Sequence, residues 1–151
     1  MPTLLEDFFS GDRNRILHAT WVVIRSRDAD ELDPLLPFLP RIRQAVWKVD
    51  LGGALKSNWE NFEGALEKLD GYRQGACWCE SYKANDQFEP SKEQNADHVR
   101  IVSTGDPGWS MTYEVECTVC GRLFTVDQRD GHVMTWKWKP HGEKRASGRI
   151  G

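Results

Sequence analysis

The sequence predicts an α+β protein: an N-terminal bundle of short helices followed by a C-terminal antiparallel β-meander with a four-cysteine zinc knuckle. Three observations carry that expectation. Apolar residues recur at helical spacing up to residue 71 and alternate with polar ones beyond residue 75. Turn signals such as Asp106-Pro107-Gly108 and Asp130-Gly131 punctuate the second half. All four cysteines fall in that half as two tight pairs, Cys77-x-Cys79 and Cys117-x-x-Cys120-Gly121. At 151 residues one compact unit is expected, with 1–74 a helical subdomain, 75–140 a zinc-stapled antiparallel sheet and 141–151 a flexible basic tail.

Thr3 with Glu6 three residues on forms a capping box, and Leu4, Leu5, Phe8 and Phe9 share a face until Ser10-Gly11. Asp12 caps a longer amphipathic helix whose apolar face reads Ile16, Leu17, Trp21 and Ile24, with Thr20 between them and His18 as a partly buried histidine. Prolines at 34, 37 and 40 allow only short helices: Asp33-Pro34 opens one, and Leu39-Pro40 another that runs through Ile42, Ala45, Val46 and Val49. After the loop Leu51-Gly52-Gly53-Ala54, Asn58 caps a helix with Trp59, Phe62, Leu66 and Leu69 on one side, ended by Gly71. Residues 76–83 read as a strand carrying the first cysteine pair, and residues 85–97 as a polar loop. Strands follow around Val99 and Ile101, around Tyr113 and Val115, and over 122–127. The last runs over 133–139, with Met134, Trp136 and Trp138 facing inward.

Four soft thiolates are the donor set of a closed tetrahedral Zn²⁺ site, so Cys77, Cys79, Cys117 and Cys120 are the candidate metal ligands. In Cys-x-x-Cys-Gly two intervening residues let both sulfurs face one ion, and the glycine permits a positive-φ turn. Buried free thiols, disulfides or a redox pair are the competing readings. The opening residues show no basic region followed by a long apolar run, so a secretory signal is not expected, and a cytoplasmic home, where thiols stay reduced, is.

A net charge of −3 and no apolar run of membrane length make a membrane partner and direct nucleic-acid binding unexpected. The C-terminal basic residues Lys137, Lys139, Lys144, Arg145 and Arg149 read as a solvated tail. Between the cysteine pairs lie Glu80, Asp86, Glu89, Glu93 and Asp97, interrupted only by Lys83 and Lys92. They read as a solvated loop or as an acidic face that steers a basic partner. There is no His-Glu-x-x-His helix, phosphate-cradling loop or nucleophile elbow, and a site filled by four sulfurs has no position for substrate. An enzyme is therefore not expected, unless His98 or His132 replaces a cysteine and opens the shell.

The order of parts resembles a known class. Asp50-Leu51-Gly52-Gly53-Ala54 and Asn58, a helix, Cys-x-Cys, and a Cys-x-x-Cys-Gly hairpin ending in Trp136-x-Trp138 together span most of residues 3–139. In this order they are similar to small bacterial immunity proteins encoded beside polymorphic or contact-dependent toxins. The resemblance implies a cytoplasmic inhibitor that masks the active site of a cognate toxin domain, often a nuclease. Such toxins are commonly basic, so the acidic residues would complement one. A zinc-ribbon module that binds nucleic acid or protein in regulation is the alternative.

Overall fold

The computed structural model describes residues 3–53, 57–108 and 110–141. Ala54, Trp109 and the basic residues 144, 145 and 149 of the expected tail lie outside them. Among the described residues, six α-helices, mostly in the N-terminal half, and one four-stranded antiparallel sheet give the α+β class that the change of hydrophobic period predicts. The chain divides into two compact units, Met1–Ser81 and Tyr82–Gly151. No described helix is long and apolar enough to cross a membrane.

In the first unit, α1 (Leu4–Phe8) starts in a full capping box: the Thr3 hydroxyl accepts from the Glu6 amide at 3.1 Å and the Glu6 carboxylate accepts from the Thr3 amide at 2.9 Å. That backbone donor also holds the Glu6 carboxyl below its ordinary pKa. Asp12 caps α2 (Arg13–Arg25) through the Asn14 amide. The buried face of α2 is Ile16, Ala19, Thr20, Val23 and Ile24, and His18 is exposed. The face is rotated from the expected one because Leu17 and Trp21 stay half-buried. The buried Thr20 hydroxyl donates to the Ile16 carbonyl, which makes its burial tolerable.

Asp28 caps α3 (Ala29–Leu32), which runs directly into a 3-10 helix at Asp33–Phe38, and α4 follows at Leu39–Trp47. Pro34 and Pro40 occupy first-turn positions, where no amide donor is needed, and Pro37 sits inside the 3-10 turn. α5 (Asn58–Arg73) is capped by Ser57, one residue earlier than expected, while the Asn58 side-chain amide donates to the Leu51 carbonyl. It also outlasts Gly71. The Ala76 amide bonds back to the Gly71 carbonyl and the Gly75 amide to the Tyr72 carbonyl. That pair of bonds closes the helix end, where Gly75 has φ +86°.

α5 packs against α2 and buries two adjacent stripes. One is the expected Phe62, Leu66 and Leu69; the other contains Asn61, Ala65 and Lys68. Lys68 is the least expected of these. Its Nζ donates to the carbonyls of Val23, Ile24 and Ser26 at 2.8, 2.8 and 2.6 Å. Three donors meet three acceptors at the end of α2, where helix carbonyls lack partners and the helix dipole favours a cation.

A second 3-10 helix covers Trp78–Ala84, so the expected strand over 76–83 is not formed. Cys79 and Tyr82, both buried, are three residues apart, and a 3-10 turn puts such residues on one side. Part of the expected polar loop is also helical: Pro90 starts α6 (Pro90–Asn95).

The second unit is built on β1 (Val99–Thr104), β2 (Thr112–Cys117), β3 (Leu123–Asp130) and β4 (Met134–Pro140), paired in that order. Its inner face carries Val99, Tyr113, Val115, Cys117, Phe124, Val126 and Trp138, all buried. Tyr82 stacks on Trp138 at 4.1 Å between centroids, with Phe88 and Phe124 set edge-on around it. The segment before the sheet also guards its edges. Gln94 Oε1 accepts from the Ile101 amide on β1, and the Asp86 carbonyl accepts from the Trp136 amide on β4. Trp136 is half-buried and its indole donates to Gln128; only Trp138 of the expected inward trio is fully covered.

Replacing Lys68 by Met keeps the stem but leaves the end of α2 without its cation. Urea unfolding of Lys68→Met is expected to show a loss of about 2–3 kcal/mol, whereas a change below about 0.5 kcal/mol, the usual range of surface substitutions, would show the ammonium to be incidental.

Candidate metal centre

Each cysteine pair is presented by its own sharp turn. After α5 the turn at Gly75 reverses the chain, so that Cys77 precedes and Cys79 lies in the second 3-10 helix. Cys117 is the last residue of β2, and Gly121 just beyond Cys120 has φ +79°, the left-handed conformation that its lack of a Cβ permits. The loop is closed by the Gly121 amide on the Cys117 carbonyl and the Cys117 amide on the Arg122 carbonyl, both 2.9 Å. Within it the Val119 amide donates to Cys117 Sγ at 3.4 Å.

The base of the loop is tied to the start of β1. The His98 carbonyl accepts from both the amide and the hydroxyl of Thr118, and the same hydroxyl reaches the Asp97 carbonyl at 2.8 Å. Thr118 and Val119 themselves are exposed at the loop tip.

The four sulfurs lie within 4.8 Å of one another. Zn–S bonds of about 2.3 Å in a tetrahedron place sulfurs about 3.8 Å apart, so a small contraction closes the shell. Cys79 and Cys117 are buried, while Cys77 and Cys120 are half-buried. The cluster could hold a metal ion. Comparison with protein-family models, curated proteins and solved structures gives no match for this chain. Function therefore has to come from the chemistry of the site and its surroundings.

The two histidines that could have opened the shell do not join the group found among the described residues. His98 Nδ1 lies 3.1 Å from Glu93, and His132 is exposed in the β3–β4 turn.

Of the acidic residues expected to form a face, Glu80, Asp86, Glu89 and Glu93 are half-buried and only Asp97 is exposed. Glu93 accepts from the Tyr82 hydroxyl at 2.6 Å and lies beside His98. The Asp86 carboxylate accepts from Gln87, while its carbonyl serves the β4 edge. Burial raises the Tyr113 phenol above its ordinary pKa and the negative charge of Glu89 adds to this. Asp97 has φ +64° and follows the end of α6. Asp86 and Glu93 thus hold their own segments together, a role that a charge pattern alone does not disclose.

Sequence reasoning missed the Val119 amide and the Thr118 bonds, because backbone donors leave no trace in residue types. It also passed over Trp78, although a tryptophan between two cysteines is itself a signal for packing.

Elemental analysis of protein prepared without chelator is expected to give one metal equivalent per chain, falling at least tenfold in Cys117→Ser, which removes a buried thiolate ligand. Metal-free wild-type protein would refute the site.

Proposed function

We propose that this chain is a non-enzymatic binding protein whose four cysteines hold one structural Zn²⁺, and that it acts in the cytoplasm as an immunity protein. Zinc fits an all-sulfur set of four because it is a borderline-soft ion with no geometric demand beyond the tetrahedron. With four protein ligands no coordination position is left for water or substrate, which favours a scaffold over a reaction centre.

The observation that carries the binding role is Trp47. It is 72% exposed at the end of α4, yet it is not a loose side chain. Its ring lies edge-on to Trp59 at 5.5 Å, Trp59 lies 5.1 Å from Phe62, and Phe62 6.1 Å from Phe8. A file of rings thus runs from the core of the first unit to the surface and holds a large apolar group in water. Trp47 borders a groove of about 1180 Å³ between α4 and α5, with Leu36, Leu39 and Leu66 in its lining. Arg43 pairs with Glu63 there and Arg73 with Asp70, so its apolar parts are flanked by satisfied charges. An aromatic anchor beside apolar surface within a polar rim is the composition of a protein-binding hot spot.

The partner we assign is the toxin domain that the order of parts implies, covered at its active site. Trp47 and the groove are a better contact surface than the acidic residues 80–97, of which Asp86 and Glu93 already serve internal bonds.

The test is co-purification with the product of each adjacent open reading frame, followed by titration of the complex. A 1:1 complex is expected, weakened at least tenfold by Trp47→Ala and little changed by Asp97→Asn, with unfolding of the free variants unaltered. Failure with every adjacent product, or a complex indifferent to Trp47→Ala, would overturn the assignment.

A further inference from the structure

We propose that Trp78 is a positioning residue for the metal centre, anchoring the Cys77–Cys79 segment on α5 so that both sulfurs are aimed before the ion arrives; this rests on the four-cysteine zinc reading above.

Trp78 stands between the two ligands, and its ring stacks face to face on Tyr72 of α5, with centroids 4.7 Å apart and planes 18° from parallel. The ammonium of Lys68 lies 5.3 Å from the same ring. Both partners are themselves fixed. Tyr72 donates its hydroxyl to Asp33 Oδ1 at 2.7 Å, and that bond holds the phenol above its ordinary pKa, so it stays a neutral donor. Lys68 is held by the three carbonyls at the end of α2. The ring therefore rests against two groups that cannot easily move.

The turn at Gly75 brings the chain back toward the last turn of α5, and a Cβ at Gly71 would touch that of Ala76 at 3.6 Å. Just beyond Ala76 the Trp78 ring is stacked on that helix through Tyr72.

A Cys-x-Cys pair has only one residue between its ligands. When that residue is pinned, the directions of both flanking Cα–Cβ bonds are set with it. An unpinned segment would have to be ordered by the ion, and that entropy would be subtracted from binding. Groups that orient metal ligands without touching the metal typically contribute about ten- to hundredfold in affinity.

The experiment is competition for Zn²⁺ against a chromophoric chelator, using the full chain. Wild type, Trp78→Leu, Trp78→Phe and Tyr72→Leu are compared, and chelator-treated samples of each are unfolded in urea. Trp78→Leu and Tyr72→Leu are expected to bind zinc at least tenfold more weakly, still reaching one equivalent at saturation, while Trp78→Phe, which keeps a stacking face, recovers most of the affinity. A merely structural role would lower metal-free stability and leave the zinc constant of the folded chain unchanged. Equal zinc affinity in wild type and the Leu variants overturns the proposal. If Trp78→Leu does not fold, Tyr72→Leu against Trp78→Phe decides it in the same way. Wild type that binds no zinc would instead remove the metal site, a result distinct from loss of positioning.

Discussion

Four sulfurs can share one ion only if two distant stretches of chain each turn sharply and offer neighbouring cysteines to the same point. That requirement organises the local structure on both sides. One turn is a helix end, closed by Gly75 with the amides of residues 75 and 76 bonded back into α5. The other is a strand end, closed by Gly121 with the Cys117 carbonyl and amide both engaged. The two devices are different, but each places a residue without a Cβ where φ is positive. Four sulfurs gathered at one point from two such turns could hold a metal ion.

Around these turns each unit answers its own demands. In the helical unit the last carbonyls of α2 need a partner, and a lysine from α5 supplies it. In the sheet unit the exposed strand edges need cover, and the segment between the 3-10 helix and β1 provides it with a glutamine side chain and a backbone carbonyl. The aromatic group of Tyr82, Phe88, Phe124 and Trp138 closes the inner face, with the Trp138 indole donating to the Phe88 carbonyl. Trp47 is the most exposed of the large apolar side chains among the described residues, and its file of supporting rings fixes it at the surface.

Much of the architecture is legible because period and punctuation agree in this chain. Alternation at Tyr113, Val115 and Cys117 and the Asp130-Gly131 turn disclose the meander, and the capping residues Thr3 and Asp12 disclose the first helices. The cysteine cluster is legible for the same kind of reason, since donor type, count and Cys-x-x-Cys-Gly spacing are all properties of residue identity. What is hidden depends on partners remote in sequence. Lys68 looks solvent-facing until α2 is placed beside it, and Glu93 looks like surface charge until Tyr82 and His98 are. The stretch 76–83 reads as strand because Cys79 and Tyr82 invite no helical period of 3.6; a spacing of three satisfies the tighter 3-10 turn formed over Trp78–Ala84 instead. Trp47 carries no sequence mark that separates it from the six other tryptophans.

The central claim is that the four cysteines bind a single ion as a closed shell. X-ray absorption at the zinc edge of the full chain tests it directly, because the first scattering shell reports ligand type and number together. The predicted spectrum is four sulfur scatterers at about 2.3 Å with no lighter atom in the shell. A shell containing nitrogen or oxygen would contradict the closed site and, with it, the assignment of these cysteines to scaffold alone.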